Sequence, residues 1–420
     1  MKVLIGHPTS NQFFRHMTSA LDQAGFLGAA ATAFDAGPML AMMSGMLPAG
    51  MRSELQRRSF PEPWACKLRT RPAMELARLV SQRLGFRGLW QGETAIFSVD
   101  AVSRTFDEWL AESVGDFAAI YAYEDCALAC FKRALVAGVR RIYDLPITYW
   151  ETVRRVLVEE SDRLPAWAQT LGGGINDSAQ KLERKAQELE LAELVVVPSL
   201  FVADSLPKWA QVKTRIVAPF GSPTAPTPEL AVESLRLKRR RITERKPLRV
   251  LFAGSMGQRK GLGDLLAAMR LLNREDVELI LMGSLLAPLA FYKHEFSGFT
   301  YEPPRPHSQV LTLMRQCDVF CLPSLIEGRA LVIQEAMSQG LPSIVTANTG
   351  GADLIEEGKT GFLVPIRSPE AIAERLAWFA DHRDVVQDMG QAAARTAAGC
   401  TWANYGQIVV DAVKALSKSR

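Results

Sequence analysis

Short runs of apolar or β-branched residues recur along the chain, separated by amphipathic stretches long enough for helices. This is the pattern of helices packed on both faces of a parallel sheet, so the expected fold class is α/β. In the first half the runs predict strands at 2–6, 29–34, 117–121, 140–143, 194–197 and 215–218; in the second half they fall at 249–253, 278–282, 319–322, 343–345 and 361–364. Between the two sets, residues 221–247 hold prolines at 223, 226, 228 and 247 and the basic run 238–241. They read as a linker with a helical piece in its middle, joining a first domain, 1–220, to a second, 248–400. The basic run has the character of a solvated face, with a lipid or RNA contact as the alternative. Two α/β units of similar design amount to an architectural duplication, without a repeat of solenoid length. After helices at 369–380 and 384–397, an amphipathic helix at 402–418 follows a completed sheet and can cross back over the linker.

Composition narrows the class. The chain has 420 residues, 48% hydrophobic and 22% charged, as in an ordinary globular protein of two or three domains, and its net charge of +4 is too slight for a molecule built as a whole for nucleic acid. The cysteines, at 66, 126, 130, 317, 321 and 400, form no Cys-x-x-Cys pair and no zinc-ligand spacing, as expected of reduced thiols in a cytoplasmic protein. The N-terminal apolar run is too short for a signal peptide and reads as a strand. Residues 27–51 carry one charge, Asp35, but Gly37, Pro38, Gly45, Pro48 and Gly50 interrupt them. A strand followed by a Met-rich loop or short helix is expected there, rather than a membrane span.

Residues 323–342 follow a buried strand and open a helix near Ala330. Open peptide N–H groups around Gly328 and the first helical turn, with the helix dipole, form an anion site suited to a diphosphate, and glycine allows close approach of the backbone. Glu327 and Glu335 are carboxylate acceptors suited to sugar or ribose hydroxyls; alone they would read as a helix N-terminal charge and an exposed helix residue. The spacing Pro-Ser-x-x-Glu-Gly-x-x-Leu-Val-x-x-Glu-Ala-Met-x-x-Gly-x-Pro resembles the donor-site signature of family 4 of the retaining glycosyltransferases. That resemblance implies a GT-B fold of two Rossmann-like domains facing a cleft, with Glu327 contacting the transferred sugar and Glu335 the ribose. It makes Arg329 (where the family often has an aromatic residue), Ala330 and Leu331 part of the donor side. Residues 349–361 look like the family's glycine-turn segment, with Asp353 where many members have glutamate.

Residues 251–262 again run strand, glycine-rich loop, helix. Gly254, Gly257, Gly261 and Gly263 lack dinucleotide spacing, while Arg259 and Lys260 stand at the loop-to-helix junction, where cations can offset charge on a departing nucleoside diphosphate. The family likewise neutralises its leaving group with Arg and Lys in this loop; Ser255 stands where many members have Arg. No Asp-x-Asp motif ends a strand, so a metal-independent transferase with no cofactor is expected.

A donor in the second domain leaves the acceptor to the first, in the cleft at the strand C-terminal ends. His7, Pro8, Tyr123, Glu124, Asp125, Asp144 and Pro146 occupy such positions. Each has a plainer reading: His7 closing a turn, Asp125 capping a helix, Asp144 bracing a loop. By the resemblance Tyr123 takes the place of a catalytic-site histidine followed by the carboxylate Glu124. The long excursion 36–112 includes, within 50–90, nine Lys or Arg against three Glu, interleaved with Phe, Trp and Leu. That is either a solvated helical cover or a surface for an anionic membrane or lipid phosphate.

Together these residues predict a hexosyltransferase moving a sugar from a UDP- or GDP-type donor to a glycan or lipid-linked acceptor hydroxyl. It would serve cell-envelope polysaccharide or glycolipid synthesis, in the cytoplasm or peripheral to the inner face of the membrane, without nucleic acid as a partner. A non-catalytic nucleotide-sugar or glycan-binding scaffold is the alternative, and a sugar-nucleotide epimerase a third.

Overall fold

The computed structural model describes residues 1–9, 11–43, 52 and 55–418. Two parallel sheets form the framework. The first has the order β3-β2-β1-β4-β5-β6-β7, with β1 Val3–Gly6, β2 Leu27–Thr32, β3 Leu68–Thr70, β4 Ala119–Tyr123, β5 Arg140–Asp144, β6 Leu194–Val197 and β7 Thr214–Val217. The second has the order β10-β9-β8-β11-β12-β13, with β8 Leu248–Ala253, β9 Val277–Met282, β10 Phe299–Glu302, β11 Val319–Leu322, β12 Ser343–Val345 and β13 Gly361–Leu363. Helices cover both faces of each sheet, so central strands such as Leu-Val-Val-Val of β6 and Val-Phe-Cys-Leu of β11 are apolar throughout and fully buried. This is the two-domain GT-B architecture expected from the sequence.

The strands absent from the sequence reading, β3 and β10, each form one edge of their sheet. Each meets one neighbour only, so neither needs a continuous apolar run, and Leu-Arg-Thr and Phe-Thr-Tyr-Glu carry none. The third expected strand, 117–121, lies two residues further on, at Ala119–Tyr123, because a short turn at Val114–Asp116 holds Phe117 out of the sheet. Of the segment 27–51, Leu27–Thr32 is a strand and Gly37–Met43 a helix, while 44–51 lie outside the described residues. Among the described residues no helix is long and apolar enough to cross a membrane.

The linker contains a 16-residue helix, Pro228–Thr243, capped by the Thr227 side chain. It docks on the second domain: Lys238 is buried and donates to the Gly340 carbonyl, and Arg241 donates to that of Pro247, so the basic run is in part a packing face. The last helix, Trp402–Lys418, crosses to the first domain, where Tyr405, Val409, Val410 and Val413 join its core. Trp402 stacks on His16 with ring centroids 4.2 Å apart.

The domains meet through a buried polar cluster. Glu160, on the helix Trp150–Arg163 of the first domain, accepts from Arg163 (2.6 Å), Gln258 (2.6 Å) and Arg367 (2.8 Å). Arg163 also pairs with Asp264 at 2.8 Å, and the Thr170 hydroxyl accepts from the Gln258 backbone at 3.0 Å. Gln258, Arg367 and Asp264 belong to the second domain, so removing either partner would leave charge buried without compensation.

Candidate active site

The second domain builds the site from two strand-end loops that interlock. After β8 the chain turns through Gly254, at φ +150°, where a Cβ would stand 2.8 Å from the Lys260 side chain. Gly261, at φ +71°, lies against the backbone leaving β11, and a Cβ there would come within 2.0 Å of the Pro323 carbonyl. A backbone bond from Leu325 N–H to the Arg259 carbonyl (2.9 Å) ties the two loops together. Lys260 Nζ then reaches Glu327 Oε1 at 2.6 Å.

Beside this pair begins the helix Leu331–Ser338, with Ala330 as its N-cap and no side chain capping it. The N–H groups of its first turn and the helix dipole face a cavity of about 550 Å³. Gly254, Lys260, Glu327, Gly328, Arg329, Ala330, Leu331 and Glu335 line it, together with Met282, Arg305, His307 and Val310 of the second domain. Phe13, Arg57, Pro146, Ile147 and Phe220 form the opposite wall, all from the first domain. Glu335, one turn into the helix, pairs with His307 at 3.1 Å, and that carboxylate raises the imidazole above its ordinary pKa.

The loop of Glu327 and Gly328 is also held from the first domain. The hydroxyls of Thr148 and Ser199 donate to the carbonyls of Glu327 (2.6 Å) and Gly328 (2.7 Å). Gly328 is clamped so closely that a Cβ would lie 1.9 Å from the Pro146 carbonyl.

Other expected donor residues stand elsewhere. Arg259 donates to the Ile326 carbonyl at 3.4 Å and does not line the cavity; nor do Ser255 and Gly257. Gly257 instead presses on the first domain, where a Cβ would meet the Thr170 carbonyl at 2.4 Å. Although Arg329 borders the cavity, its guanidinium is buried and donates to Gln334 (2.8 Å), the Gly350 carbonyl (3.0 Å) and Asp353 (2.8 and 3.1 Å). Its work is to brace the glycine turn.

On the acceptor side, Pro146 alone of the residues proposed from sequence lines the cavity. His7 and Tyr123 lie behind Phe13, with His7 to Tyr123 centroids at 4.7 Å and Phe13 to Tyr123 at 5.5 Å. Burial lowers the His7 pKa to about 4, so its ring is neutral at physiological pH, and burial pushes the Tyr123 phenol well up. Pro8 accepts from the Ala33 N–H and serves the loop after β1. Glu124 and Asp125 turn to the helix Ala179–Leu191, where Glu124 meets Lys185 at 3.2 Å and Asp125 meets Arg184 at 3.1 Å. Desolvation raises Glu124 to about 7. Asp144 is buried beneath the C-terminal helix, accepts from the Tyr121 hydroxyl at 2.5 Å, and is pushed up to about 7 by desolvation. Tyr123 ends β4 and Glu124 opens the turn after it, and neither lines the cavity. Among the described residues no group of three His, Cys, Asp or Glu could hold a metal ion.

Sequence reasoning missed Phe13, Arg57, Ile147, Phe220, Met282, Arg305, His307 and Val310 in the cavity wall, and Thr148 and Ser199 behind the donor loop. Only His307, at the start of the helix His307–Arg315, had a visible signal, as an ionisable residue at a helix start following Pro306.

Residues 236–396 match the family of group 1 glycosyl transferases. A D-inositol 3-phosphate glycosyltransferase of Paenarthrobacter aurescens is 30% identical over 195 residues, 43% of this chain and 48% of the relative. The putative colanic acid biosynthesis glycosyltransferase WcaL of Salmonella typhimurium is 38% identical over 96 residues, 21% of this chain and 22% of that protein. The chain thus spans less than half the length of these relatives. Over nearly the whole fold it is similar to the structure of Anabaena HepE in complex with UDP, with TM-score 0.64, 14% identity and coverage of 99% of this chain and 100% of that one. Sucrose-phosphate synthase from Thermosynechococcus elongatus gives TM-score 0.67 at 16% identity, with both chains covered completely. The chain therefore has the GT-B fold, and its residues 236–396 match the group 1 glycosyl transferases.

Proposed function

We propose that this protein is a retaining, metal-independent hexosyltransferase that moves a sugar from a nucleoside-diphosphate sugar to an acceptor hydroxyl. The observation that carries the reading is the Lys260–Glu327 pair at 2.6 Å, set beside the uncapped start of the helix Leu331–Ser338 in a cavity walled by both domains. Lys260 and the open N–H groups offset charge as the diphosphate departs, Glu327 orients the sugar, and Glu335 takes the ribose hydroxyls. Arg259, bound to a backbone carbonyl, stiffens the loop and leaves Lys260 as that loop's cation in the cavity. One preorganised donor of this kind is worth about 3–4 kcal/mol in a transition state that builds negative charge.

The solved complexes of HepE with UDP and with UDP-glucose favour UDP over GDP as the base carrier. The names of WcaL and the inositol phosphate glycosyltransferases favour a polysaccharide or a phosphorylated polyol as acceptor, and on this reading the step serves cell-envelope synthesis on the cytoplasmic side. The test is a panel of UDP- and GDP-sugars, with nucleoside diphosphate release followed with and without candidate acceptors. Acceptor-dependent release that survives a chelator is expected. Binding without release on every pair would instead identify a non-catalytic nucleotide-sugar protein, and loss of turnover on chelation would overturn the metal-independent mechanism.

A further inference from the structure

The excursion between β2 and β4 divides into two parts with different chemistry. In the first, the cations are used internally. Arg58 and Arg78 both bind the buried Glu75, at 2.9 and 2.6 Å, Lys67 binds Asp22 at 2.5 Å, Arg71 pairs with Glu112 at 3.5 Å, and Arg69 stacks over the Phe117 ring. These residues hold the excursion to the first domain and are not a free basic surface.

The second part projects outward. On the helix Ala73–Arg83, Leu76 and Val80 point to solvent, and Leu84 continues the same face at the next i+4 position. The chain then turns at Gly85, at φ +76°, and every residue from 83 to 89 is exposed, including Leu84 at 62%, Phe86 at 55% and Leu89 at 40%. Backbone bonds from Phe86 to Ser81, Leu89 to Phe86 and Phe97 to Leu89 order this tip, so its apolar side chains are held out rather than folded back. Between Glu75 and Glu93 the sequence has no acidic residue; of its three charges Arg78 is tied to Glu75, which leaves the exposed Arg83 and Arg87 at the tip.

We propose that this tip is a membrane-docking element that inserts Leu84, Phe86 and Leu89 into the interface of a bilayer containing anionic lipids. A convex, purely cationic protrusion with a few apolar side chains at its apex suits a fluid interface, where leucine and phenylalanine enter the acyl boundary and arginines stay at the headgroups. A protein partner would need a matching pocket rimmed with acid; a bilayer supplies both parts without shape complementarity. The inference rests on the transferase reading only in making the bilayer the place where a lipid-linked acceptor is met.

The test uses the full chain with phosphatidylcholine vesicles, with and without phosphatidylglycerol, at low salt. Co-sedimentation with the anionic vesicles is expected, reversed by added salt. The double substitutions L84S/F86S and R83Q/R87Q should each lower the bound fraction by about tenfold. Both should keep the melting temperature and the nucleotide affinity in solution. K260A should bind vesicles as the wild type does, which separates failure of this inference from failure of the transferase reading. Absence of binding by the wild type, or binding that neither pair changes, would overturn the proposal. So would a dimer in light scattering that either pair abolishes, because a second copy would then be the occupant.

Discussion

Replacing Gly328 by alanine puts a methyl group where the first domain's backbone already lies. The new Cβ would stand 1.9 Å from the Pro146 carbonyl oxygen and 2.8 Å from Ile147 Cα, and both obstacles are backbone, so no side-chain rotation relieves them. To reach an ordinary contact of 3.4 Å the two loops must separate by about 1.5 Å. At that separation the bonds from Thr148 to the Glu327 carbonyl and from Ser199 to the Gly328 carbonyl, now 2.6 and 2.7 Å, are lost. Each is worth about 1 kcal/mol, so domain closure weakens by about 2 kcal/mol. The Glu327 carboxylate moves with its loop by more than 1 Å relative to the acceptor wall, and a displacement of that size costs about 100-fold in turnover. Nucleotide binding, which the proposed function assigns to Glu335 and the helix start within one domain, should change by less than about threefold. Measuring kcat/KM for the donor together with calorimetric affinity for the nucleoside diphosphate checks this. Turnover within about twofold of wild type would refute the argument; an affinity loss equal to the turnover loss would place the effect of Gly328 on the donor instead of the domain contact.

Two further outcomes follow from the same structure. Lys260→Ala should lower kcat by about 100-fold or more at saturating donor, with a smaller change in KM, since the interaction lost is made with charge that develops in the transition state. Unchanged kcat would remove Lys260 from the mechanism. Asp144, raised to about 7 in the folded protein against an ordinary 3.8, holds its proton more tightly when folded than when unfolded. Its contribution to stability is therefore complete below about pH 4 and is lost as pH rises to about 7. Urea melts of D144N should show a flatter dependence over this range than the wild type, and parallel curves would contradict the buried, protonated carboxyl.

Some of this was legible in the sequence, for a physical reason. Central parallel strands are buried on both faces and must be apolar along their length, so β6 and β11 announce themselves. An edge strand need not be, and β3 and β10, whose Leu-Arg-Thr and Phe-Thr-Tyr-Glu carry no apolar run, escaped, while the edge strands β7 and β13 did not. On the donor side, Glu327, Gly328 and Glu335 lie within nine residues of one strand-loop-helix unit, and local spacing fixes their common direction. Lys260 became readable because its loop is equally local. The acceptor side is different. Glu124 and Asp125 stand at a strand end as expected, yet Lys185 and Arg184 of a later helix draw them away from the cavity. Arg329 was misread for the same reason, since Asp353, 24 residues on, claims its guanidinium. The opposite wall, from Phe13 to Phe220, is assembled by tertiary packing, and no spacing along the chain encodes it.

The return of the helix Trp402–Lys418 to the first domain has a mechanical consequence. The chain crosses between the domains twice at nearly one place: the Ser222 N–H bonds the Cys400 carbonyl at 2.8 Å, and a Cβ on Gly221 would stand 2.4 Å from the Trp402 nitrogen. The second domain is thus an insert hung from a two-ply ribbon, not a bead on a single tether. Such a ribbon bends readily about one axis and resists twisting about its length. Opening and closing of the cleft should accordingly follow a single swing, which returns Glu327 to the same seat against Thr148 on every cycle.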